Sequence, residues 1–246
     1  MIVQDTLGCF CALGSPLVTE LVARSGAFGW LCVDLQHGMG GFTDCLAGLQ
    51  AVAAIGIPAL VRIPVGDDAL VTRVLDAGAH GVLIANVETP EQARRASAAA
   101  FYPPRGARSI GPTRARYLRD GYVAAAAAHT ECIVMLESPP AFEALDDIAR
   151  EPVTGLFVGL ADLVLTLGGH LDNPLHDPLV RRWLESTLTA CAARGLTSGV
   201  FSEDVGTAVE LKRMGFDRVA IGLDATILMN GARKQRAAFD TAWSAA

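Results

Sequence analysis

The sequence predicts an α/β fold in the form of a (β/α)8 TIM barrel. Short apolar runs alternate with stretches of helical spacing eight times along the chain. The apolar runs are nearly continuous, which is typical of parallel strands buried on both faces. The length of 246 residues also matches the roughly 250 residues that such a barrel uses. Residues 1–246 are therefore expected to form a single barrel domain.

The first half of the chain contains four apolar runs that predict strands, each followed by a predicted helix. Thr43 is expected to cap the second helix, because a threonine hydroxyl before a helix accepts a backbone N–H. Gly78 is expected to close the third, and Pro90 lies where a first helical turn tolerates proline. The predicted strands are 8–13, 30–35, 59–63 and 81–87, and the predicted helices are 16–24, 43–54, 69–76 and 90–100.

The second half repeats this alternation after an interruption. Residues 102–117 are rich in proline, glycine and arginine and predict a long loop, and a helix of small residues at 121–128 follows it. The predicted strands are 132–136, 155–158, 198–201 and 218–221, and the predicted helices are 140–149, 177–193, 203–214 and 225–242. An open doubly wound sheet is the alternative, but no Gly-x-Gly-x-x-Gly motif follows the first strand, so no NAD site is expected.

Composition excludes several classes of function. The formal net charge of −6 gives no basic surface for nucleic acid. No apolar run reaches the roughly 18 residues of a membrane helix, and the first residues lack the features of a signal peptide. The six cysteines are scattered through apolar segments and are expected to be reduced. We therefore expect a cytoplasmic protein that binds neither nucleic acid nor membrane.

Polar side chains cluster at the predicted strand ends, where a barrel enzyme builds its site. Asp34 and His37 follow the second strand, and Arg62 lies near the end of the third. Glu137 follows the fifth strand and Asp162 the sixth. Paired carboxylates serve either as the acid and nucleophile of a glycosidase or as oxygen ligands for a hard cation.

The segment around Asp162 bears on this choice. A strand there runs into a new turn, whose backbone N–H groups are suited to binding a carboxylate. A metal beside an anion pocket favours a 2-keto acid over a sugar.

Each of these side chains also has a purely structural interpretation. Glu137 is placed to cap the helix beginning near Pro140, Asp162 to cap the turn after its strand, and His37 to lie on the rim. Asp34 is placed to anchor a loop, and Arg62 to pair with an acidic residue of the next helix, either Asp67 or Asp68.

At these positions the sequence resembles the HpcH/HpaI aldolases, a family of metal-dependent class II pyruvate aldolases. The matching stretches occur in family order and span most of the chain from Phe28 to Ala225. They are Val-Asp-Leu-Gln-His-Gly (33–38), Val-Arg-Ile-Pro (61–64), Leu-Asp-Ala-Gly-Ala (75–79), Tyr-Pro-Pro-Arg-Gly-Ala-Arg-Ser (102–109), Leu-Glu-Ser (136–138) and Val-Gly-Leu-Ala-Asp-Leu (158–163).

The resemblance implies roles for the strand-end residues. Glu137 and Asp162 would be the protein ligands of a divalent ion, Mg²⁺ or Mn²⁺, with Co²⁺ and Zn²⁺ as further options. Arg62 would neutralise the enolate oxygen. His37, held by Asp34 or Asp76, would manage the proton of the aldehyde-derived hydroxyl.

The same resemblance implies the substrate contacts and the assembly. Backbone N–H groups of Ala161 and Asp162 would hold the pyruvate carboxylate, and Gly159 would also contact substrate. The family forms trimers and hexamers and exchanges its C-terminal helix, the predicted helix 225–242 here, between subunits.

The chain departs from the family pattern at positions around the site. Gln36 stands where many relatives carry glutamate, and Met135 replaces a frequent glutamine. Leu160 replaces a proline, Asn86 follows Ala85 where Val-Pro is usual, and Pro112 replaces a substrate-facing serine. None of these changes removes a proposed ligand, so they bear on the choice of aldehyde.

Cleavage of a bond beta to a ketone leaves an enolate, whose charge must be stabilised. Lys212 and Lys234 are the only lysines, and both fall in predicted helices rather than at strand ends. A Schiff-base lysine is therefore not expected, and neither is pyridoxal phosphate. A divalent metal remains as Lewis acid.

The leading function is reversible cleavage of a 4-hydroxy-2-oxo acid to pyruvate and an aldehyde. The alternatives are other enolate reactions, namely cleavage of a CoA thioester or decarboxylation of oxaloacetate, and an inactive barrel that serves as a binding module. The sequence does not name the aldehyde.

Overall fold

The computed structural model describes residues 7–171 and 174–245 and shows a closed barrel of eight parallel strands. Each strand pairs with the next in sequence, and the eighth returns to pair with the first. The predicted (β/α)8 barrel is confirmed, and the open sheet that was its alternative is excluded by this closure.

The strands agree with the predicted ones to within two residues at each end. They are β1 (Leu7–Cys11), β2 (Trp30–Asp34), β3 (Ala59–Pro64), β4 (Gly81–Ala85), β5 (Glu131–Leu136), β6 (Gly155–Val158), β7 (Thr197–Phe201) and β8 (Arg218–Leu223).

The helices lie around the barrel and connect successive strands. They are α1 (Pro16–Arg24), α2 (Phe42–Ile55), α3 (Asp68–Asp76), α4 (Pro90–Ala100), α5 (Ala115–Leu118), α6 (Tyr122–His129), α7 (Pro139–Glu143), α8 (Leu145–Ile148), α9 (Leu160–Thr166), α10 (Pro178–Arg194), α11 (Val205–Met214) and α12 (Asp224–Ser244). A short 3₁₀ turn at Pro174–His176 precedes α10.

Local sequence explains several helix starts. Asp67, Asp177 and Asp204 each accept a backbone N–H of the first turn that follows them. The hydroxyl of Thr89 and the amide of Gln92 satisfy each other's backbone groups at the start of α4, which is a capping box.

Four details of the sequence prediction are wrong. Thr43 does not cap α2: Gly41 occupies that position, and its N–H donates to Asp44. The predicted helix 140–149 is two short helices, α7 and α8, and the loop predicted over 102–117 already contains the start of α5. The helix α9 was not predicted, because its apolar residues follow those of β6 with only Gly159 between them.

The core has two layers separated by the strands. Side chains that point into the barrel fill its interior, so the barrel is closed to solvent below its mouth. A larger layer lies between the strands and the surrounding helices. The interior residues include Phe10, Trp30, Cys32, Leu60, Leu83, Ile133, Met135 and Phe157.

Within the residues that the structure describes, no helix is long and apolar enough to cross a membrane. The six cysteines are buried free thiols. The last helix, α12, differs from the others because most of its apolar side chains are exposed in the single chain, among them Leu228, Met229, Phe239 and Trp243.

Close packing inside the barrel depends on Gly199, because a glycine has no side chain. Gly199 on β7 lies directly opposite Phe157 on β6, whose ring is 1% exposed. A Cβ at Gly199 would overlap this ring, with Cε2 only 2.8 Å away.

We expect Gly199→Ala to lower the free energy of unfolding by about 1–3 kcal/mol, the usual cost of overpacking a core. Urea denaturation followed by circular dichroism measures the change. Gly231→Ala is the control, because nothing lies within 4 Å of a Cβ built there and alanine favours a helix. An equal loss in both variants would contradict this account of the barrel interior.

Candidate active site

A pocket of about 260 Å³ opens at the carboxyl ends of the strands. Its floor is apolar and is formed in part by Phe10, Met135, Phe201 and Leu223. Seven of the eight residues that the sequence assigned to the site line this pocket, namely Asp34, His37, Arg62, Glu137, Gly159, Ala161 and Asp162.

Asp34 and Arg62 form a two-point ion pair at the mouth. They are register partners on β2 and β3, and their side chains meet at 2.9 Å (Nε to Oδ1) and 2.6 Å (Nη2 to Oδ2). Burial alone would raise the pKa of Asp34, but the bonds from Arg62 and two backbone N–H groups outweigh it and lower that pKa. The carboxylate therefore stays ionised, and Arg62 stays cationic.

The alternative pairing of Arg62 with the next helix is wrong. Asp67 caps α3 instead, through the N–H of Leu70, and Asp68 binds Arg95 at 2.6 Å. Arg62 additionally lies over the ring of Phe10, with its guanidinium carbon 5.1 Å from the ring centroid. The guanidinium is thus fixed on two sides before any substrate arrives.

The loop after β2 is anchored by the same aspartate. Oδ1 of Asp34 accepts the backbone N–H groups of Gln36 at 3.0 Å and His37 at 3.3 Å. Asp34 therefore contacts the backbone of His37, and the loop places this histidine at the pocket with its side chain exposed. The loop-anchoring interpretation of Asp34 is therefore confirmed, and the same residue lines the pocket.

Glu137 is a buried carboxylate without a full countercharge. It is 4% exposed, and Oε1 accepts the backbone N–H of Asn86 at 2.7 Å. Burial, reinforced by the neighbouring carboxylate of Asp162, raises the pKa of Glu137 to about 7, although Asn86 and Arg62 oppose the shift. Such a pair of carboxylates is a strong attractor for a cation.

The helix-capping interpretation of Glu137 is wrong. The N-cap of α7 is Ser138, which makes no side-chain cap bond and donates its hydroxyl to Glu88 at 2.6 Å. Gly159 makes room for Glu137: a Cβ built there would overlap Oε2 and lie 2.7 Å from the Cβ of the glutamate.

Asp162 lies in the first turn of α9 and is exposed. The first intrahelical bond of this turn runs from the N–H of Leu163 to the carbonyl of Gly159. The N–H groups of Ala161 and Asp162 therefore have no acceptor within the helix, since the first turn of any helix leaves its donors unpaired.

Asp76 is the one assigned residue that the structure does not bring to the pocket. It is the last residue of α3, which runs back toward the amino ends of the strands, and the chain re-enters the barrel at Gly81. Its carboxylate binds the fully buried guanidinium of Arg108 at 2.5 Å. Within one chain, Asp76 therefore cannot hold His37 as expected.

The donor set fits a hard divalent cation. Among the described residues no group of three or more His, Cys, Asp or Glu side chains is arranged to hold a metal. Glu137 and Asp162 provide two carboxylates, of which the buried one lacks a full countercharge. Mg²⁺ and Mn²⁺ are bound in this way, by few carboxylates with water and substrate oxygens, whereas structural zinc sites use four nitrogen or sulfur ligands.

Sequence reasoning missed two residues that the structure brings to the site, Asn86 and Glu203. Asn86 donates only its backbone N–H, and the residue type gives no signal for such a bond. Its positive φ of 56° is a conformation in which asparagine is enriched. Glu203 lies just after β7 and lines the pocket beside Phe201. Its position just after a strand end could have indicated a site residue. It was instead included in the predicted helix 203–214.

Comparisons with known proteins identify the family of this chain. Residues 6–231 match the family model described as HpcH/HpaI aldolase/citrate lyase. The chain is 38% identical to a hydroxypyruvate/pyruvate aldolase from Deinococcus radiodurans, over 96% of this chain and 86% of that protein. It is 34% identical to a 2-keto-3-deoxy-L-rhamnonate aldolase from Salmonella gallinarum, over 97% of this chain and 90% of that protein.

A solved structure extends the likeness to three dimensions. An HpcH/HpaI aldolase/citrate lyase family protein from Burkholderia cenocepacia superposes with a TM-score of 0.86 at 31% identity, covering 96% of this chain and 94% of that one. The chain is thus a carbon–carbon lyase of the aldolase type, and it belongs to the HpcH/HpaI aldolase/citrate lyase family.

Proposed function

We propose that this enzyme reversibly cleaves a 4-hydroxy-2-oxo acid into pyruvate and an aldehyde, with a divalent metal held by Glu137 and Asp162. The observation that carries the proposal is the meeting of these two carboxylates in one pocket with Arg62 and His37. Relatives named as hydroxypyruvate/pyruvate and keto-deoxy-sugar-acid aldolases support this class of substrate.

The two carboxylates and the first turn of α9 would bind the keto-acid end of the substrate. The free N–H groups of Ala161 and Asp162 are suited to the carboxylate, since unpaired donors at a helix start favour an anion. Gly159 keeps the backbone close to this end. A divalent ion, when bound, supplies positive charge beside the keto oxygen.

Bond cleavage leaves electrons that the pocket must stabilise. The 4-hydroxyl loses its proton, the C3–C4 bond breaks, and the aldehyde carbonyl forms. The electron pair of that bond moves onto C3, C2 and the keto oxygen as an enolate, which then takes a proton at C3 to give pyruvate. Arg62, fixed by Asp34, places its positive charge at this oxygen without reorganising.

His37 would accept the hydroxyl proton and return it in the synthetic direction. An imidazole suits this transfer because its ordinary pKa lies near neutrality. Its exposed position at the pocket rim leaves it free to work directly or through a water. The backbone bond to Asp34 sets the position of the loop that carries it.

A Schiff-base mechanism does not fit the positions of the lysines. Lys212 lies on α11 and donates its ammonium to the carbonyl of Phe216 at 2.9 Å. Lys234 lies on the exposed surface of α12. Neither lines the pocket.

The metal requirement is the first test of the proposal. We expect EDTA to abolish activity and Mg²⁺, Mn²⁺ or Co²⁺ to restore it, and we expect Glu137→Gln and Asp162→Asn to lose activity together with Mn²⁺ affinity measured by calorimetry. The metal-free variants should melt within a few degrees of the unaltered protein, because each change removes a charge without changing the size of the side chain.

Asp146→Asn is the matched control, because it also removes one carboxylate, at an exposed position of α8. It should keep both activity and Mn²⁺ affinity. Borohydride added with pyruvate should leave the enzyme active. Full activity of metal-free protein, or pyruvate trapped on a lysine, would refute the proposal.

The role of His37 is tested by separating two proton transfers. We expect His37→Ala to lower kcat for aldol cleavage by about 100-fold or more, the usual effect of losing a general acid–base group. Deuterium exchange into the methyl group of pyruvate should fall less, because Arg62 and the metal ligands remain. A variant that cleaves substrate at the unaltered rate would exclude this role.

We also propose that the chain assembles as a trimer or hexamer through α12. Ile227, Leu228 and Met229 near its start and Phe239 and Trp243 near its end are each between 41% and 74% exposed in the single chain. Arg233 and Lys234 lie between these two apolar groups. A helix of this pattern is suited to docking at both ends on a neighbouring subunit.

Light scattering measures this assembly directly. We expect a mass of three or six chains for the intact protein, and a smaller mass when the chain is cut before Gly231, because the second apolar group is then lost. A stable monomer of the intact chain would show that α12 has another role.

A further inference from the structure

A second cavity, of about 440 Å³, lies beside the active-site pocket. We call it the side cavity; it lies between α9 and the loop that joins β7 to α11. The two cavities share part of their walls, so the side cavity opens where a bound keto acid would be attacked. The shared residues are Leu160, Ala161, Phe201 and Glu203, and Ser202, Asp204 and Thr207 line only the side cavity.

The charged side chains that line the side cavity, among the residues that the structure describes, are all acidic. Among the described residues that line it, Glu203 and Asp204 are the only charged side chains. The carboxylate of Asp204 accepts the N–H of Thr207 at 2.6 Å and is committed to capping α11. The carboxylate of Glu203 makes no hydrogen bond or ion pair with any residue that the structure describes, so its charge is available to a ligand.

The basic side chains of the active-site pocket do not neutralise the negative charge of Glu203. Arg62 already donates its Nε and Nη2 hydrogens to Asp34, whose carboxylate balances its charge. His37 is the other basic side chain of that pocket, and its proposed task is proton transfer. An aldehyde that carries its own carboxylate would therefore lie beside Glu203 without a cationic partner in this chain. Repulsion between the two like charges disfavours its binding.

The polar groups of the side cavity suit hydroxyls instead. A carboxylate accepts hydrogen bonds only, so Glu203 is a natural partner for hydroxyl donors. The hydroxyl of Ser202 donates to the carbonyl of Asp204 at 3.0 Å, which leaves its oxygen as a further acceptor. The side cavity is also larger than the pocket that would take pyruvate, so it has room for a chain of several carbons.

We infer that the side cavity is the acceptor subsite of the proposed aldolase, and that Glu203 makes it select uncharged polyhydroxylated aldehydes over aldehydes that carry a carboxylate. This inference rests on the proposed function and deepens it. In synthesis, C3 of the pyruvate enolate attacks the aldehyde carbon, and the aldehyde oxygen takes the proton that makes it the 4-hydroxyl. The remainder of the aldehyde chain then extends along Glu203.

The test compares two four-carbon acceptors with the metal-loaded full chain at saturating pyruvate. D-Erythrose is uncharged and hydroxylated, whereas succinic semialdehyde carries a carboxylate. We expect kcat/KM to favour erythrose in the unaltered enzyme. Glu203→Lys should shift the ratio of the two values by about tenfold or more toward the semialdehyde, since one reversed charge at contact range has this effect, and Glu203→Gln should shift it less.

Glu210→Lys is the matched control, because it makes the same charge change on α11 but lies outside both cavities. It should leave the ratio unchanged. An unaltered enzyme that prefers the semialdehyde, a ratio that Glu203→Lys does not move, or an equal shift in Glu210→Lys would overturn the inference.

Deuterium exchange into pyruvate by the unaltered enzyme separates this result from a failure of the proposed function, because exchange needs no acceptor. Absence of metal-dependent exchange would overturn the proposed function and the inference with it. Exchange together with an unmoved acceptor ratio would overturn the inference alone.

Discussion

Two neighbouring strands place Asp34 and Arg62 opposite each other, and their side chains close a two-point ion pair at the barrel mouth. Removing one partner of such a pair leaves a poorly solvated charge, which costs far more than the pair contributes as a whole. The pair fixes the guanidinium at the pocket, and the same carboxylate anchors the loop that carries His37. The proposed charge stabilisation and the proposed proton transfer thus both depend on one aspartate.

The opposite wall of the pocket carries acidic side chains with no full countercharge. Glu137 and Asp162 bring two negative charges together, and only the N–H of Asn86 and the more distant Arg62 counteract the cost of burying Glu137. The fold tolerates this arrangement because the strands around it are packed on both faces, so their ends cannot move apart to relieve the repulsion. A negative site of this kind attracts a cation, and a bound cation together with the fixed charge of Arg62 would suit the oxygen atoms of a keto acid.

Sequence reasoning found the barrel because parallel strands buried on both faces leave a clear apolar pattern, and strand ends follow directly from strand positions. It predicted for the same reason that Arg62, Glu137 and Asp162 lie together at the barrel mouth, where they line one pocket. Asp76 does not reach the pocket of its own chain, because this residue ends a helix rather than a strand and so lies at the other end of the barrel. Sequence reasoning missed the hydrogen bond from the backbone N–H of Asn86 to Glu137. Every residue type except proline has a backbone N–H, so the residue type carries no signal for this bond. The separate cavity beside Glu203 depends on how α9 lies, and this helix was not predicted.

Gly159 has a consequence for how this enzyme responds to mutational scanning. The residue has no side chain and offers no chemical group, yet even a methyl group there would displace the carboxylate of Glu137. A scan that replaces each position in turn would score Gly159 as severely as a catalytic residue. Libraries meant to widen the substrate range should therefore hold this position constant and vary the wall around Phe201 and Ser202, where side chains border open space.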